Sequence, residues 1–72
     1  MRSKFDEQLN QLNDEMMRMG TMIEDSIEKA IDALVNQNVT LAEEIMARDE
    51  DIDRQQKKIE SICFNLLMRQ QP

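Results

Sequence analysis

The stretch NQNVT, residues 36–40, is the clearest interruption of a long helical pattern, and the predicted architecture depends on it. Asparagine and threonine favour turns and helix N-caps over helix interiors. Asn38 or Thr40 can cap a following helix, and Thr40 with Glu43 fits a capping box. Two helices joined by so short a connection lie antiparallel. The stretch therefore predicts the turn of a helical hairpin.

Apolar residues on both sides of this turn recur every three or four positions, which is the spacing of one helix face. We expect helices over about 3–35 and 41–70, separated by a loop over about 36–40. The predicted seam of the first helix is Phe5, Leu9, Leu12, Met16, Met19, Ile23, Ser26, Ala30 and Leu34. The predicted seam of the second helix is Leu41, Ile45, Asp49, Ile52, Gln56, Ile59, Cys63 and Leu66. Residues 1–72 are thus predicted to form one all-α, antiparallel two-helix hairpin, with Asp49 opposite Ser26 in a polar layer.

The apolar surface of this hairpin is wider than two helices can cover. Ile27 and Ile31 broaden the stripe of the first helix, and Gly20 is either a weak point or a close approach of another backbone. At 72 residues a single core seldom yields more than about 3–5 kcal/mol without association. We therefore expect a homo-oligomer in which self-association completes a helical bundle.

Charge and composition exclude several function classes. A net charge of −6 and a pI of about 4.5 argue against nucleic-acid binding. No apolar run approaches the roughly 18–20 residues of a membrane span, so no direct membrane insertion is expected. The absence of histidine excludes Cys–His and Ser–His–Asp catalysis, and Cys63 has no intrachain partner for a disulfide. We predict a cytoplasmic protein that is not an enzyme.

The stretch ARDEDIDRQQ, residues 47–56, carries the candidate site. Asp49 and Asp53 lie four positions apart, which places them on consecutive turns of one helix face, where like charges repel. They are either part of a solvated acidic face or one side of a cation site. All-carboxylate ligation favours Mg²⁺, Mn²⁺ or iron over zinc. A calcium loop is excluded because Arg54 stands where that loop needs glycine.

Four segments together resemble the opening of PhoU family proteins. They are FDEQLNQLNDEMMRMG (5–20), IEKAIDAL (27–34), LAEEIMARDEDID (41–53) and ICFNLLMRQQP (62–72). The resemblance implies the first two helices of a three-helix bundle that is repeated in tandem. It also implies a metal site built from E/D-x-x-x-D motifs, with Asp49 and Asp53 as one motif and an E-R-x-G-D companion on a third helix. The chain would then hold half of a site for iron, manganese, magnesium or zinc.

The resemblance further implies the function. Members of this family regulate phosphate uptake and the phosphate-starvation response, and they act as adaptors rather than enzymes. The expected partners are the phosphate ABC transporter and a sensor histidine kinase. The alternative is a structural coiled-coil or helical-bundle interaction module that binds no metal. A third reading is metal storage or delivery.

Overall fold

The computed structural model describes residues 3–69, and within them the chain forms two long helices. Helix α1 spans Lys4–Val35 and helix α2 spans Val39–Arg69. The helices pack against each other along their lengths, which confirms the all-α antiparallel hairpin. The molecule measures 55 × 20 × 11 Å. Because about 10–12 Å is the diameter of one helix with its side chains, the hairpin is a single layer with two open faces.

Side-chain caps determine where the helices begin and end. Ser3 caps α1: its hydroxyl accepts a hydrogen bond from the Asp6 backbone N–H at 3.1 Å. At the turn, Gln37 adopts a φ of 50°, and the Asn38 backbone N–H donates to the Ala33 carbonyl at 2.8 Å. The Asn38 side-chain oxygen accepts from the Leu41 N–H at 3.0 Å. Because Asn38 is the cap, α2 begins at Val39, two residues before the expected start.

The helices contact each other through a different stripe from the predicted one. We call the residues that lie along the line of contact between the helices the inner residues. In each helix, several of them precede a predicted seam residue by one position, as Glu15 precedes Met16 and Gln55 precedes Gln56. The inner residues of α1 are Gln8, Leu12, Glu15, Met19, Met22, Ser26, Lys29 and Ala33. Those of α2 are Leu41, Ile45, Arg48, Ile52, Gln55, Ile59, Ile62 and Leu66. The predicted seam is therefore wrong for about half of its members, which are exposed instead, including Phe5, Leu9, Met16, Ile23, Asp49 and Cys63.

The two open faces of the hairpin differ in character. The residue that follows an inner residue lies about 100° further round its helix. Because the two helices are right-handed and antiparallel, this rotation brings such residues to the same side of the hairpin in both helices. We call this side the apolar face: Leu9, Met16, Ile23, Ile27, Ala30 and Leu34 of α1 with Ala42, Met46 and Leu67 of α2. The opposite side, the charged face, carries Arg18, Asp25, Asp51, Arg54 and Lys58. Neither helix, over residues 3–69, has the length of apolar sequence that crossing a bilayer requires.

Gly20 lies inside α1, and a methyl group added there would meet no atom within 4 Å. Replacing Gly20 by alanine should raise the free energy of unfolding by about 1 kcal/mol, because glycine in a helix interior costs more backbone entropy. Urea unfolding followed by circular dichroism measures the change. The buried Ala33, changed to glycine, is the matched control and should shift the midpoint the other way. A lower midpoint for Gly20→Ala would contradict the open environment and indicate another backbone packed at this position.

Candidate functional site

The hairpin is held in register by a polar layer near its middle, formed by Gln55, Glu15 and Lys58. Gln55 is only 7% exposed. Its amide nitrogen donates to the Glu15 backbone carbonyl and to Glu15 Oε2, both at 2.8 Å. The Lys58 ammonium lies 3.3 Å from the same carboxylate oxygen. Both hydrogens of a buried amide are thus satisfied by one residue of the opposite helix, which fixes the rotation and register of the helices.

The environment of Glu15 favours its ionised form. The side chain is 13% exposed. The hydrogen bond from Gln55 is the main reason that the Glu15 pKa lies below its ordinary value. The hydrogen bond and charge of Lys58 and the charge of Arg18 act in the same direction, whereas burial acts against them. The carboxylate is therefore charged at neutral pH, and the layer is intact there.

A second polar layer lies closer to the turn and is centred on Asp25. Lys29, one turn further along α1, approaches its carboxylate to 3.0 Å, and Arg48 reaches it from α2 at 3.2 Å. All three side chains are between a third and a half exposed. Because solvent screens the charges at such positions, the two ion pairs together stabilise the folded chain by at most about 1 kcal/mol. Their main effect is alignment, since Arg48 joins the two helices.

The second layer corrects the predicted polar layer of Asp49 and Ser26. Ser26 lines a shallow cavity of about 210 Å³ together with Arg48 and Ile52. Arg48 and Ile52 are consecutive inner residues of α2. Asp49 is exposed and points away from this seam. The prediction that Asp49 lies opposite Ser26 is wrong, because Arg48 takes the inner position to reach Asp25.

The two candidate ligands, Asp49 and Asp53, lie on α2 and are both exposed. Each follows an inner residue by one position, which puts both carboxylates on the same side as the apolar face. Among residues 3–69, no group of three or more acidic, cysteine or histidine side chains is placed to hold a metal ion. Two carboxylates are a suitable donor pair for a hard cation, but the other ligands would have to come from outside the described part of the chain. Their role as ligands stays a prediction.

The residues that form the two polar layers are not among the functional residues predicted from the sequence. A signal was available, since the inner residues of α2 alternate strictly in steps of four and three from Leu41 to Leu66. Arg48 and Gln55 are the two polar members of that series. A long polar side chain in a regular heptad position is typical of a residue that fixes register.

The fold and its surfaces define a class: an antiparallel helical hairpin, one helix thick, with an exposed apolar side. The PhoU domain family model matches residues 16–72. A PhoU homolog from Clostridium acetobutylicum is 39% identical over 71 residues, which are 99% of this chain and 32% of that relative. A homolog from Aquifex aeolicus is 33% identical over 69 residues, which are 96% of this chain and 31% of that relative. The chain belongs to the PhoU family.

These relatives bear the name phosphate-specific transport system accessory protein PhoU homolog. A third relative with this name, from Streptococcus pneumoniae, is 35% identical over 72 residues, which are 100% of this chain and 33% of that protein. The chain spans about a third of the length of the curated relatives it matches. No solved structure matches the chain significantly.

The lowered pKa of Glu15 predicts how stability depends on pH. Because the pKa is lower in the folded than in the unfolded state, the stabilisation is present above the unfolded-state pKa, which is about 4.3 for glutamate. It is lost as the pH falls from there through the folded-state pKa. Glu15→Gln should therefore lose less stability than the unaltered chain between pH 7 and acidic pH.

Urea midpoints at several pH values, measured by circular dichroism, test this expectation. Glu7→Gln is the matched control, because Glu7 is an exposed acid of the same helix. It should leave the acid-induced loss of stability nearly unchanged. An equal loss for Glu15→Gln and the unaltered chain would contradict the role assigned to the Gln55 layer.

Proposed function

We propose that this hairpin is part of a regulator of phosphate uptake and of phosphate-starvation signalling. It acts in the cytoplasm by binding other proteins, not by catalysis. Membership of the PhoU family supports the proposal, as do relatives named as accessory proteins of phosphate-specific transport. The proposed partners are the phosphate ABC transporter and a sensor histidine kinase.

The observation that carries this proposal is the exposed apolar face. Large apolar side chains such as Met16, Ile23 and Ile27 are exposed along α1, while Ala33 and Leu66 are the only buried apolar residues among residues 3–69. Continuous apolar surface of this kind marks an interaction site on a small helical protein. We include self-association among its proposed uses, with a second copy completing the bundle.

We further propose that Asp49 and Asp53 form half of a carboxylate metal site. Iron, manganese, magnesium and zinc are the candidate ions, and carboxylate oxygens favour the first three. A bound cation would supply positive charge between two stacked carboxylates. Asp49 and Asp53 would hold it from the hairpin side, next to the apolar face, and so tie cation binding to coverage of that face.

The alternative function is a structural helical-bundle module that binds a partner helix without metal. The Gln55 and Asp25 layers favour this alternative, because they align the two helices through hydrogen bonds and ion pairs between the protein's own groups. Such a module would use the apolar face but would not need Asp49 or Asp53.

Self-association has a direct test in size-exclusion chromatography with light scattering. We expect the 72-residue chain to run as a dimer or a larger assembly, because the apolar face is otherwise left in water. Ile23→Glu/Ile27→Glu should shift the chain toward monomer, since both side chains are exposed on that face. Met17→Glu, exposed on the far side of α1, is the matched control and should not. A stable, well-folded monomer at high concentration would contradict self-association.

The regulatory function is tested with a chimera in which this chain replaces the matching segment of the Escherichia coli relative, to which it is 28% identical over 69 residues. In a strain that lacks the relative, the chimera should restore repression of a phosphate-starvation reporter in phosphate-rich medium. Asp49→Asn/Asp53→Asn should reduce that repression if the pair holds a cation. Glu43→Gln/Glu50→Gln removes the same charge from α2 and should not.

Circular dichroism of each purified chimera checks that it folds. A folded chimera without repression would contradict the regulatory function. Repression that is equal in the Asp49→Asn/Asp53→Asn and unaltered chimeras would contradict the metal half-site and favour the module without metal.

A further inference from the structure

The charged face of the hairpin has no large apolar side chain for another helix to pack against. Its residues precede an inner residue by one position, and within residues 3–69 Ala47 is the only apolar one among them. A further helix of a bundle, or a second copy of the chain, packs on apolar side chains and therefore takes the apolar face. The charged face stays in contact with water whichever element covers the other side.

The cationic side chains of the charged face surround one cavity. Within residues 3–69, the cations that precede an inner residue are Arg18, Arg54 and Lys58. All three line a cavity of about 370 Å³, to which α1 contributes Arg18 and α2 the other two. Asp51 is the only acid that residues 3–69 contribute to this lining, so the lining has a formal charge of +2. A cationic site thus lies on a chain with a net charge of −6.

The pairs that these cations form within the hairpin leave them able to bind another group. Lys58 binds Glu15 at 3.3 Å, and Arg54 binds Asp51 through one terminal nitrogen. Among the salt bridges formed by residues 3–69, none includes Arg18. Since ammonium and guanidinium groups each carry several hydrogen-bond donors, all three side chains retain unused donors. The Arg54 and Lys58 side chains are 67% and 52% exposed, so a ligand can reach those donors.

We propose that this cavity binds a phosphate group between Arg18, Arg54 and Lys58. The oxygens of the group bond all three cations, and its charge of about −2 at neutral pH balances the lining. Guanidinium groups present paired N–H donors that fit two phosphate oxygens, and the ammonium adds a further contact. Met22 and the buried Gln55 complete the lining and keep water from one side of the bound group, which strengthens the attraction.

The composition of the lining disfavours other anions. A carboxylate offers two oxygens and a single charge, which one guanidinium satisfies, as Arg54 does for Asp51. It would leave the remaining cations without a partner. A nucleic acid brings many phosphates, which the net charge of −6 repels. A single phosphate group, either a free ion or a group on a phosphorylated partner protein, uses the whole site.

This inference goes beyond the proposed function and rests on it only for the source of the phosphate group. The cavity and its cations belong to the hairpin itself. Anion binding is therefore measured on the chain alone, and its outcome is independent of the regulatory function.

The first experiment titrates the isotope-labelled 72-residue chain with sodium phosphate at constant ionic strength and follows the amide signals. Saturable shifts should centre on Arg18, Arg54 and Lys58, with a dissociation constant in the millimolar range because the site is open to solvent. Acetate, which carries one charge, should bind at least about tenfold more weakly. Shifts that stay linear throughout the titration, or equal affinities for acetate and phosphate, would overturn the proposal.

A neutral peptide with one phosphoserine, compared with its unphosphorylated form, distinguishes the two sources of the group. Tighter binding of the phosphopeptide than of inorganic phosphate supports the site and identifies a phosphorylated partner. Tighter binding of inorganic phosphate supports the site and identifies the free ion. The site is refuted when neither probe binds, or when the unphosphorylated peptide binds as well as the phosphopeptide.

Variants of exposed residues test which charges matter. Arg18→Gln should weaken phosphate binding about tenfold, because it removes a charged hydrogen-bond donor of the site. Lys57→Gln removes the same charge outside the lining and should change binding less than about twofold. Asp51→Asn should tighten binding about threefold because it removes the acid of the lining, whereas Glu50→Gln should not. Equal effects of Arg18→Gln and Lys57→Gln, or weaker binding by Asp51→Asn, would contradict the assignment.

Circular dichroism checks that each variant folds, as expected because all four substituted residues are exposed. Absence of phosphate binding by the chain, together with repression by the chimera, overturns this inference alone. Phosphate binding by a folded chimera that fails to repress overturns the regulatory function alone.

Discussion

The hydrogen bonds between Gln55 and Glu15 set the rotation of both helices, and most other features of the hairpin follow from it. Both amide hydrogens of Gln55 go to Glu15, and the side chain is buried. Turning either helix by one residue would break these bonds and leave a buried amide unsatisfied, at a cost of about 1–3 kcal/mol. Few apolar side chains are buried between the helices, so this cost is large in comparison with the free energy that apolar burial contributes. The rotation it selects leaves Met16 and Ile23 exposed.

The helices and the turn were predictable from the sequence because local chemistry determines them. Ser3 and Asn38 are caps whose side chains bond the first turn of each helix, and the spacing of apolar residues is helical on both sides. The rotation of the helices was not predictable in the same way. Two stripes of α1 repeat in steps of four and three and share Leu12, Met19 and Ser26. Counting apolar residues favours the stripe that contains Met16. A single partner helix can cover only one stripe, and a cross-helix contact selects which.

The same ambiguity affected the candidate site. Spacing alone was enough to put Asp49 and Asp53 on one face of a helix, but it placed Asp49 inside the seam. In the structure Arg48 takes the inner position, because its long side chain reaches Asp25 while keeping its charged end partly in water. The one-residue difference moves both aspartates onto the side that carries the apolar face. Within residues 3–69 no third acidic, cysteine or histidine side chain is placed to join them in a metal site, so the spacing of the two aspartates identifies at most half of one.

The position of these acids links occupancy of the apolar face to its electrostatics. While the face is open to water, Asp49 and Asp53 are solvated, and their charge costs little. An element that covers the face removes part of that water, and the carboxylates then favour an occupant or an ion that brings positive charge. A neutral apolar helix would gain the hydrophobic contact and lose this compensation. Since so few apolar side chains of the hairpin are buried, any element that binds this face would also stabilise the hairpin itself.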